Sequence, residues 1–119
     1  MKTVNLKEKF SLFSDYANPR VIADVNDCSV KAVKLKGEFI WHHHEKEDEL
    51  FLVVKGTLRM KFRSHEATVN EGEFVVVPHG VEHCPVADEE VHILLIEPKS
   101  TLNTGNITNE RTVAQLERI

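Results

Sequence analysis

Three consecutive histidines, His42, His43 and His44, stand immediately before a run of charged residues that ends at Glu49. Imidazole nitrogens and carboxylate oxygens are side-chain atoms that bind first-row transition metals in proteins. In extended backbone alternate side chains share a face, so His42 and His44 point the same way, roughly 7 Å apart along the chain, while His43 points the other way. This pattern predicts a metal site that uses His42 and His44.

Glu49 lies five positions after His44, an odd offset that a continuous strand would place on the opposite face. The charged segment 45–48 must therefore turn and reset the register before the apolar run 50–54 begins. Glu49 can then return beside the two histidines, so that two nitrogens and one oxygen are aimed at one point. Histidine runs also occur in solvated loops and purification tags, but here Trp41 and an apolar run flank the histidines.

The composition limits the classes of function. The chain has 119 residues, a length typical of one domain, and 15 Lys and Arg against 19 Asp and Glu give a formal net charge of −4. This balance argues against nucleic-acid binding, and no basic stripe is present. No segment has the length of a membrane span, and the N-terminus lacks a signal-peptide pattern. Cys28 and Cys84 do not make a disulfide framework, so we expect a cytoplasmic protein.

The remaining segments show the patterns of one short helix and many short strands. A capped amphipathic helix is expected after Asn5. Strands are expected at residues 20–25, 29–36, 50–54, 57–63, 67–69, 74–77, 81–86 and 91–96. We expect strand 29–36 to be half-exposed, strand 74–77 to be buried, residues 87–90 to turn, and the tail 100–119 to pack outside as a helix or a strand. This pattern is typical of an all-β sandwich or barrel.

Two segments resemble the two sequence motifs of the cupin superfamily. Residues 37–56 contain His42-x-His44-x4-Glu49-x6-Gly56, which resembles the first motif. Residues 72–87 contain Gly72-x5-Pro78-x-Gly80-x2-His83, which resembles the second. The resemblance implies an all-β cupin double-stranded β-helix, a jelly-roll barrel with a short N-terminal helix, and a single cupin domain over residues 1–119.

The resemblance also implies a fourth metal ligand. His83 would join His42, His44 and Glu49, which gives three nitrogens and one oxygen. Four protein ligands can leave two positions open on an octahedral ion, as the activation of a bound molecule requires. The resemblance therefore implies a divalent transition metal, and Fe, Mn, Ni, Cu and Zn all suit these ligands. Ala87 replaces the asparagine that usually ends the second motif, but that residue is not a metal ligand in the family.

Inward side chains of the predicted strands are candidates for a ligand pocket. They are Phe39, Trp41, Phe51, Met60, Phe62 and His92. Aromatic and methionine side chains at strand spacing also form ordinary core, and that alternative stays open. We expect His43 at the surface or at an interface, and Cys84 as a buried filler that faces away from His83.

Three functions suit these residues, and the sequence identifies no catalytic residue. The first is a metal-dependent enzyme, a dioxygenase, isomerase or lyase, that acts on a small oxygen-bearing molecule. The second is a non-catalytic barrel that binds or senses a small molecule, and the third is a purely structural barrel. The chain also resembles small uncharacterised cupins, some of which carry mannose-6-phosphate isomerase-like names. Because the segment Leu50 to Val54 is apolar on both faces, we predict a homodimer through sheet-to-sheet packing.

Overall fold

The structure, a computed structural model, describes residues 1–119, and its regular elements are one short helix and seven strands. They are α1 (Leu6–Phe10), β1 (Arg20–Val25), β2 (Cys28–Glu38), β3 (Glu49–Lys55), β4 (Leu58–Phe62), β5 (Glu66–Val69), β6 (Phe74–Val77) and β7 (His83–Pro98). The strands pair antiparallel in the order β1-β2-β7-β3-β6, and β4 joins β5 to β7. The predicted all-β jelly-roll fold with a short N-terminal helix is confirmed. The single helix is too short to cross a membrane.

Strand β7 connects the two halves of the fold, because it pairs with β2, β3 and β4. Its first four residues pair with β4, and its later part lies between β2 and β3. The predicted turn at residues 87–90 is wrong, since the strand continues through this acidic segment. Arg59 binds Asp88 with two hydrogen bonds, and Tyr16 and His92 bind Glu90, so the carboxylates are partnered without a turn.

Strand β2 is longer and more buried than predicted. It continues beyond residue 36, and a bulge between Leu35 and Gly37 accommodates the change of direction. Lys31 and Lys34 are both buried, although this strand was expected to be half-exposed. Lys34 donates a hydrogen bond to the carbonyl oxygen of Phe13, and Lys31 lies near the carboxylate of Glu97. A lysine can be buried when its charge has such partners.

The main hydrophobic core fills the interior of the barrel, and a smaller cluster lies on its outer face. The interior residues are Val33, Leu35, Phe51, Val53, Leu58, Met60, Val69, Val77, Ala87, Val91, Ile93 and Leu95. In the outer cluster, Phe10 of α1 and Phe13 pack on Ala32 and Leu94. Asn5 caps the helix as predicted, because its Oδ1 accepts a hydrogen bond from the backbone N–H of Glu8 at 2.9 Å.

Two peripheral segments differ from the sequence expectation. Strand β6 lies at the end of the sheet order, and its outward residues Phe74 and Val76 are 60% and 46% exposed rather than buried. The tail from residue 100 forms turns, with neither a helix nor a strand, and ends at a single bridge between Arg118 and Val21. Part of this tail lies against the loop of the three histidines rather than simply on the outside of the barrel.

Candidate metal centre

The four residues expected to bind metal lie together in the structure. One potential ligand atom from each of His42, His44, Glu49 and His83 lies within 4.8 Å of all the others. Glu49 begins β3 and His83 begins β7, while His42 and His44 lie in the loop that precedes β3. All four residues are buried. The fold therefore brings a cluster of three imidazoles and one carboxylate to one place inside the barrel.

Backbone hydrogen bonds hold the histidine loop in place. His42 and His83 exchange two of them, with N–H to O=C distances of 3.0 Å and 2.9 Å. The carbonyl oxygen of His44 accepts a third from the N–H of Gly80 at 2.7 Å. The loop is thus tied to the segment that carries His83, and residues 42–44 lie outside the named strands, with one isolated bridge between His42 and His83.

Two histidines are oriented through their Nδ1 atoms. Nδ1 of His42 lies 2.9 Å from the carbonyl oxygen of Ile40, and Nδ1 of His83 lies 2.9 Å from that of Val81. Because a carbonyl oxygen can only accept, each Nδ1 carries the proton and each Nε2 keeps its lone pair. This is the tautomer with which a histidine binds a metal ion through Nε2.

The same geometry leaves nitrogen atoms of the cluster without hydrogen-bond partners. Nε2 of His44 lies 2.7 Å from Oε1 of Glu49 but is buried without a hydrogen bond of acceptable geometry. Nε2 of His83 lies 3.2 Å from the same oxygen, and in the tautomer set by Val81 it has no proton to donate. A cation among these atoms would satisfy both nitrogens and the carboxylate, so the residues fit a bound metal ion.

The protonation states also suit metal binding. Burial raises the pKa of Glu49, but the imidazoles of His44 and His83 beside its carboxylate outweigh that effect and lower it to about 2. Burial, reinforced by the neighbouring His83, lowers the pKa of His42 to about 4. Near neutral pH Glu49 is therefore an anion and His42 is neutral, which are the forms that ligate a metal.

A small cavity of about 40 Å³ lies beside the cluster, and His42 and Glu49 form part of its wall. Its apolar lining includes Val33, Leu35, Phe39, Phe51, Leu95 and Leu116. Two of the aromatic residues expected to form a pocket, Phe39 and Phe51, are thus found there. The cavity is mostly apolar with a few polar groups in its wall, a composition typical of small-molecule sites.

Three other pocket candidates do not line this cavity. The guanidinium of Arg63 lies over the ring of Trp41, with its central carbon 3.9 Å from the ring centroid. A cation in this position is attracted to the aromatic face. Met60 is completely buried in the main core. Phe62 stacks on His65 with ring centroids 4.9 Å apart, near the end of β4. These three residues pack against other side chains and lie outside the cavity wall.

His92 is also outside the cavity. Its ring stacks on Phe10 of α1 at a centroid distance of 4.8 Å, and Nε2 lies 2.7 Å from Glu90. The alternation of β7 places it on the outer face, where the helix covers it. His43 points away from the cluster, as its position between two inward histidines suggests, and its Nε2 lies 2.7 Å from Glu45.

Sequence reasoning missed a buried ion pair in the cavity wall. Nζ of Lys31 lies 3.7 Å from Oε2 of Glu97, and both residues line the cavity. Burial and the nearby carboxylate of Glu49 raise the pKa of Glu97 well above its usual range. The sequence offered one indication of this pair, because the charged residue Glu97 directly follows the predicted strand 91–96.

The C-terminal tail contributes to the site through the backbone of His43. The N–H of His43 donates to Oδ1 of Asn106, and the N–H of Asn106 donates to the carbonyl oxygen of His43, both at 2.9 Å. Asn103 and Leu116 reach the cavity wall. The tail packs on the outer cluster at Ile119, as expected, and its turns also bring polar and apolar groups to the cavity and the histidine loop.

Comparisons with known proteins agree with this fold. Residues 31–97, more than half of the chain, match the family model described as cupin domain. The uncharacterized protein YdbB of Bacillus subtilis (strain 168) is 37% identical over 79 residues, which is 66% of this chain and 64% of that protein. The match therefore spans slightly less than two thirds of that relative's length.

Two solved structures are similar over most of both chains. A cupin-2 domain containing protein from Shewanella frigidimarina has 49% sequence identity and a TM-score of 0.81, and the match covers 82% of this chain and 95% of that one. Protein NMB1881 from Neisseria meningitidis has 31% identity and a TM-score of 0.76, with 82% of this chain and 100% of that one covered.

Proposed function

This chain belongs to the cupin family, and from that premise we propose that residues 1–119 form a single metal-binding cupin domain that acts on a small oxygen-bearing molecule. The observation that carries the proposal is the buried cluster of His42, His44, Glu49 and His83, in which the Nε2 atoms of His44 and His83 face one carboxylate oxygen. The adjoining cavity gives a small molecule access to this cluster.

The four residues would hold a divalent ion of Fe, Mn, Ni, Cu or Zn, which would supply Lewis-acid activation of an oxygen atom in a bound molecule. Glu49 offsets part of the positive charge, and the carbonyl groups of Ile40 and Val81 fix two imidazole rings. Phe39 and Phe51 provide apolar walls that limit the access of water. This arrangement suits dioxygenase-, isomerase- or lyase-type chemistry.

The proposal is tested by incubating metal-loaded protein with small hydroxy and keto acids in deuterated water. Proton NMR follows products and exchange at carbon, and an oxygen electrode follows dioxygen use. We expect turnover with at least one metal, and its loss with a chelator and in His44→Ala. The matched control His43→Ala, which changes the neighbouring outward histidine, should retain turnover. Turnover that survives both the chelator and His44→Ala would contradict the proposal.

A non-catalytic barrel that binds or senses a small molecule is the second candidate, and the position of the buried thiol favours it. The thiol of Cys84 is not in the cavity wall, and burial together with Glu38 raises its pKa to about 11, so it is a poor nucleophile. Ligand binding without product in the NMR experiment would favour this candidate.

We also propose that the protein is a cytoplasmic homodimer. Leu50 of β3 pairs with Val76 of β6 on one side and Ile96 of β7 on the other, and Leu52 pairs with Phe74. Their outward side chains form an apolar strip in which Phe74, Val76 and Ile96 are 60%, 46% and 37% exposed. A second copy that packs face to face would remove this strip from water. Both cysteines are free, which suits a reducing compartment.

A further inference from the structure

We propose that Lys31 anchors the anionic group of a small carboxylate in the cavity, while the opposite end of that molecule faces the metal cluster. The inference deepens the proposed function and rests on it, because it assigns the class of molecule that this cavity takes. The inference starts from the buried ammonium group of Lys31, which makes no hydrogen bond to another group of the protein.

The side chain of Lys31 is only 4% exposed, and it lines the cavity. Its ammonium group makes no hydrogen bond, and its charged neighbour, Oε2 of Glu97, is 3.7 Å away, beyond hydrogen-bond distance. An ammonium group carries three donors, and a buried one is normally both paired and hydrogen-bonded. Lys34, on the same strand, shows the usual arrangement, since its Nζ donates to Phe13 at 2.7 Å. Lys31 therefore has donors available for a ligand.

The balance of charge around the cavity favours an anion. Glu49 and Glu97 carry two negative charges when both are ionised, whereas Lys31 and a divalent metal would carry three positive charges. One negative charge on the ligand completes the balance. If Glu97 holds a proton, the positive excess is larger, so the preference for an anion does not depend on the state of Glu97. A neutral ligand would leave the excess uncompensated in a buried site.

The approach to the cavity is also cationic. An outer cleft of about 300 Å³ shares Lys31 and Leu116 with the inner cavity. Asp24 in its wall forms an ion pair with Arg118, while Lys99, in the same wall, has no ion-pair partner. Such a cleft raises the local concentration of anions. The inner volume of about 40 Å³ corresponds to roughly three water positions, so the anion must be small.

Glycolate and its uncharged isostere glycolamide are suitable probes of this proposal. Their affinities are measured by isothermal titration calorimetry on zinc-loaded and metal-free protein. We expect wild-type protein to prefer glycolate by roughly ten-fold or more, the size of one charge-assisted hydrogen bond. Lys31→Met should lose this preference. The matched control Lys34→Met, which removes a buried lysine of the same strand outside the cavity wall, should keep it.

The outcomes separate this inference from the proposed function. Equal affinity for both probes in wild type, or a preference that persists in Lys31→Met, would overturn it and leave Lys31 as a structural partner of Glu97 only. If Lys31→Met does not fold, Lys31→Met/Glu97→Gln removes both members of the pair and takes its place. Zinc content is determined on the same samples. Failure of wild type to bind zinc would overturn the metal site and this inference with it, whereas zinc binding with equal affinity for both probes would overturn the inference alone.

Discussion

At the scale of single residues, the surroundings of His42 hold it in the form that can bind a metal ion. Its Nδ1 lies against the carbonyl oxygen of Ile40, and burial lowers its pKa to about 4. The ring is thus held neutral with Nε2 free to bind a metal. Acidification should therefore lower the stability of the protein, because the unfolded chain binds a proton at His42 more readily than the folded chain does.

We predict that metal-free protein loses stability as the pH falls from 6.5 towards 4. The pKa of His42 is about 4 in the folded protein against the ordinary 6.5, so the unfolded state binds more protons in this window. The contribution of His42 to the free energy of unfolding should fall by about 2 kcal/mol between pH 7 and pH 5. Urea unfolding of wild type and His42→Gln at both values measures it.

The exposed histidine His79 provides the control for this measurement. Its ring lies outside the cluster and is bonded to Asp48 at the surface. His79→Gln should keep the pH dependence of wild type, whereas His42→Gln should reduce it. An identical loss of stability in wild type and His42→Gln would show that His42 does not carry the effect.

The sequence was most informative about residues whose spacing is local. His42, His44 and Glu49 lie within one short segment, and the resemblance to the cupin motifs added His83, so all four could be named in advance. Lys31 and Glu97 could not be assigned to the cavity. Alternation along an isolated strand places a lysine on the exposed face, and only the pairing of β2 with β7 buries this one beside a carboxylate.

At the scale of elements, the C-terminal tail acts as a brace for the histidine loop. Asn106 exchanges two hydrogen bonds with the backbone of His43, the residue between His42 and His44. Gly105 lies directly against the carbonyl group of His43 and has a φ of +57°. A side chain at position 105 would clash with that carbonyl oxygen, so glycine permits this close approach.

We predict that Gly105→Ala weakens metal binding as well as stability. The added methyl group must displace the tail or the backbone of His43, which moves both neighbouring ligands. The control Gly72→Ala is also at positive φ, +80°, but its methyl group would meet no atom within 4 Å. Gly72→Ala should cost only the left-handed backbone penalty of about 1–2 kcal/mol. Metal titration and urea unfolding compare the two variants.

Comparable metal affinities in the two variants would contradict the bracing role of the tail. A weaker affinity in Gly105→Ala alone would support it, since the backbone penalty is common to both positions. Thr104 next to Gly105 is fully buried, so the tail is well packed at this point and cannot simply move aside.

Elements that depend on local patterns were easier to predict than those that depend on distant partners. The bounds of β1 and β6 were predicted as observed, and the helix follows its cap at Asn5. The acidic segment 87–90 has the composition of a turn, yet it remains in β7 because distant residues, Arg59 and Tyr16 among them, bind its carboxylates. The tail has no periodicity of its own, and its turns are held by hydrogen bonds within the tail and to the histidine loop.

At the scale of the whole molecule, the uncovered apolar strip on β3, β6 and β7 predicts a homodimer. Wild-type protein should have about twice the 13.6 kDa mass of one chain in light scattering at micromolar concentration. Phe74→Lys/Val76→Lys places two charges in the strip and should give a monomer. The control Leu12→Lys changes an exposed apolar residue after α1 and should leave the dimer intact. A monomeric wild type would refute the prediction.

The proposed function depends on a metal ion held by the four buried residues of the cluster. The most direct measurement is elemental analysis of protein purified without a histidine tag, in wild type, His42→Ala/His44→Ala and the control His43→Ala. We predict close to one equivalent of Fe, Mn, Ni, Cu or Zn in wild type and in His43→Ala, and none in the double variant. Wild-type protein that holds no metal even after reloading, or a double variant that holds as much as wild type, would contradict the account.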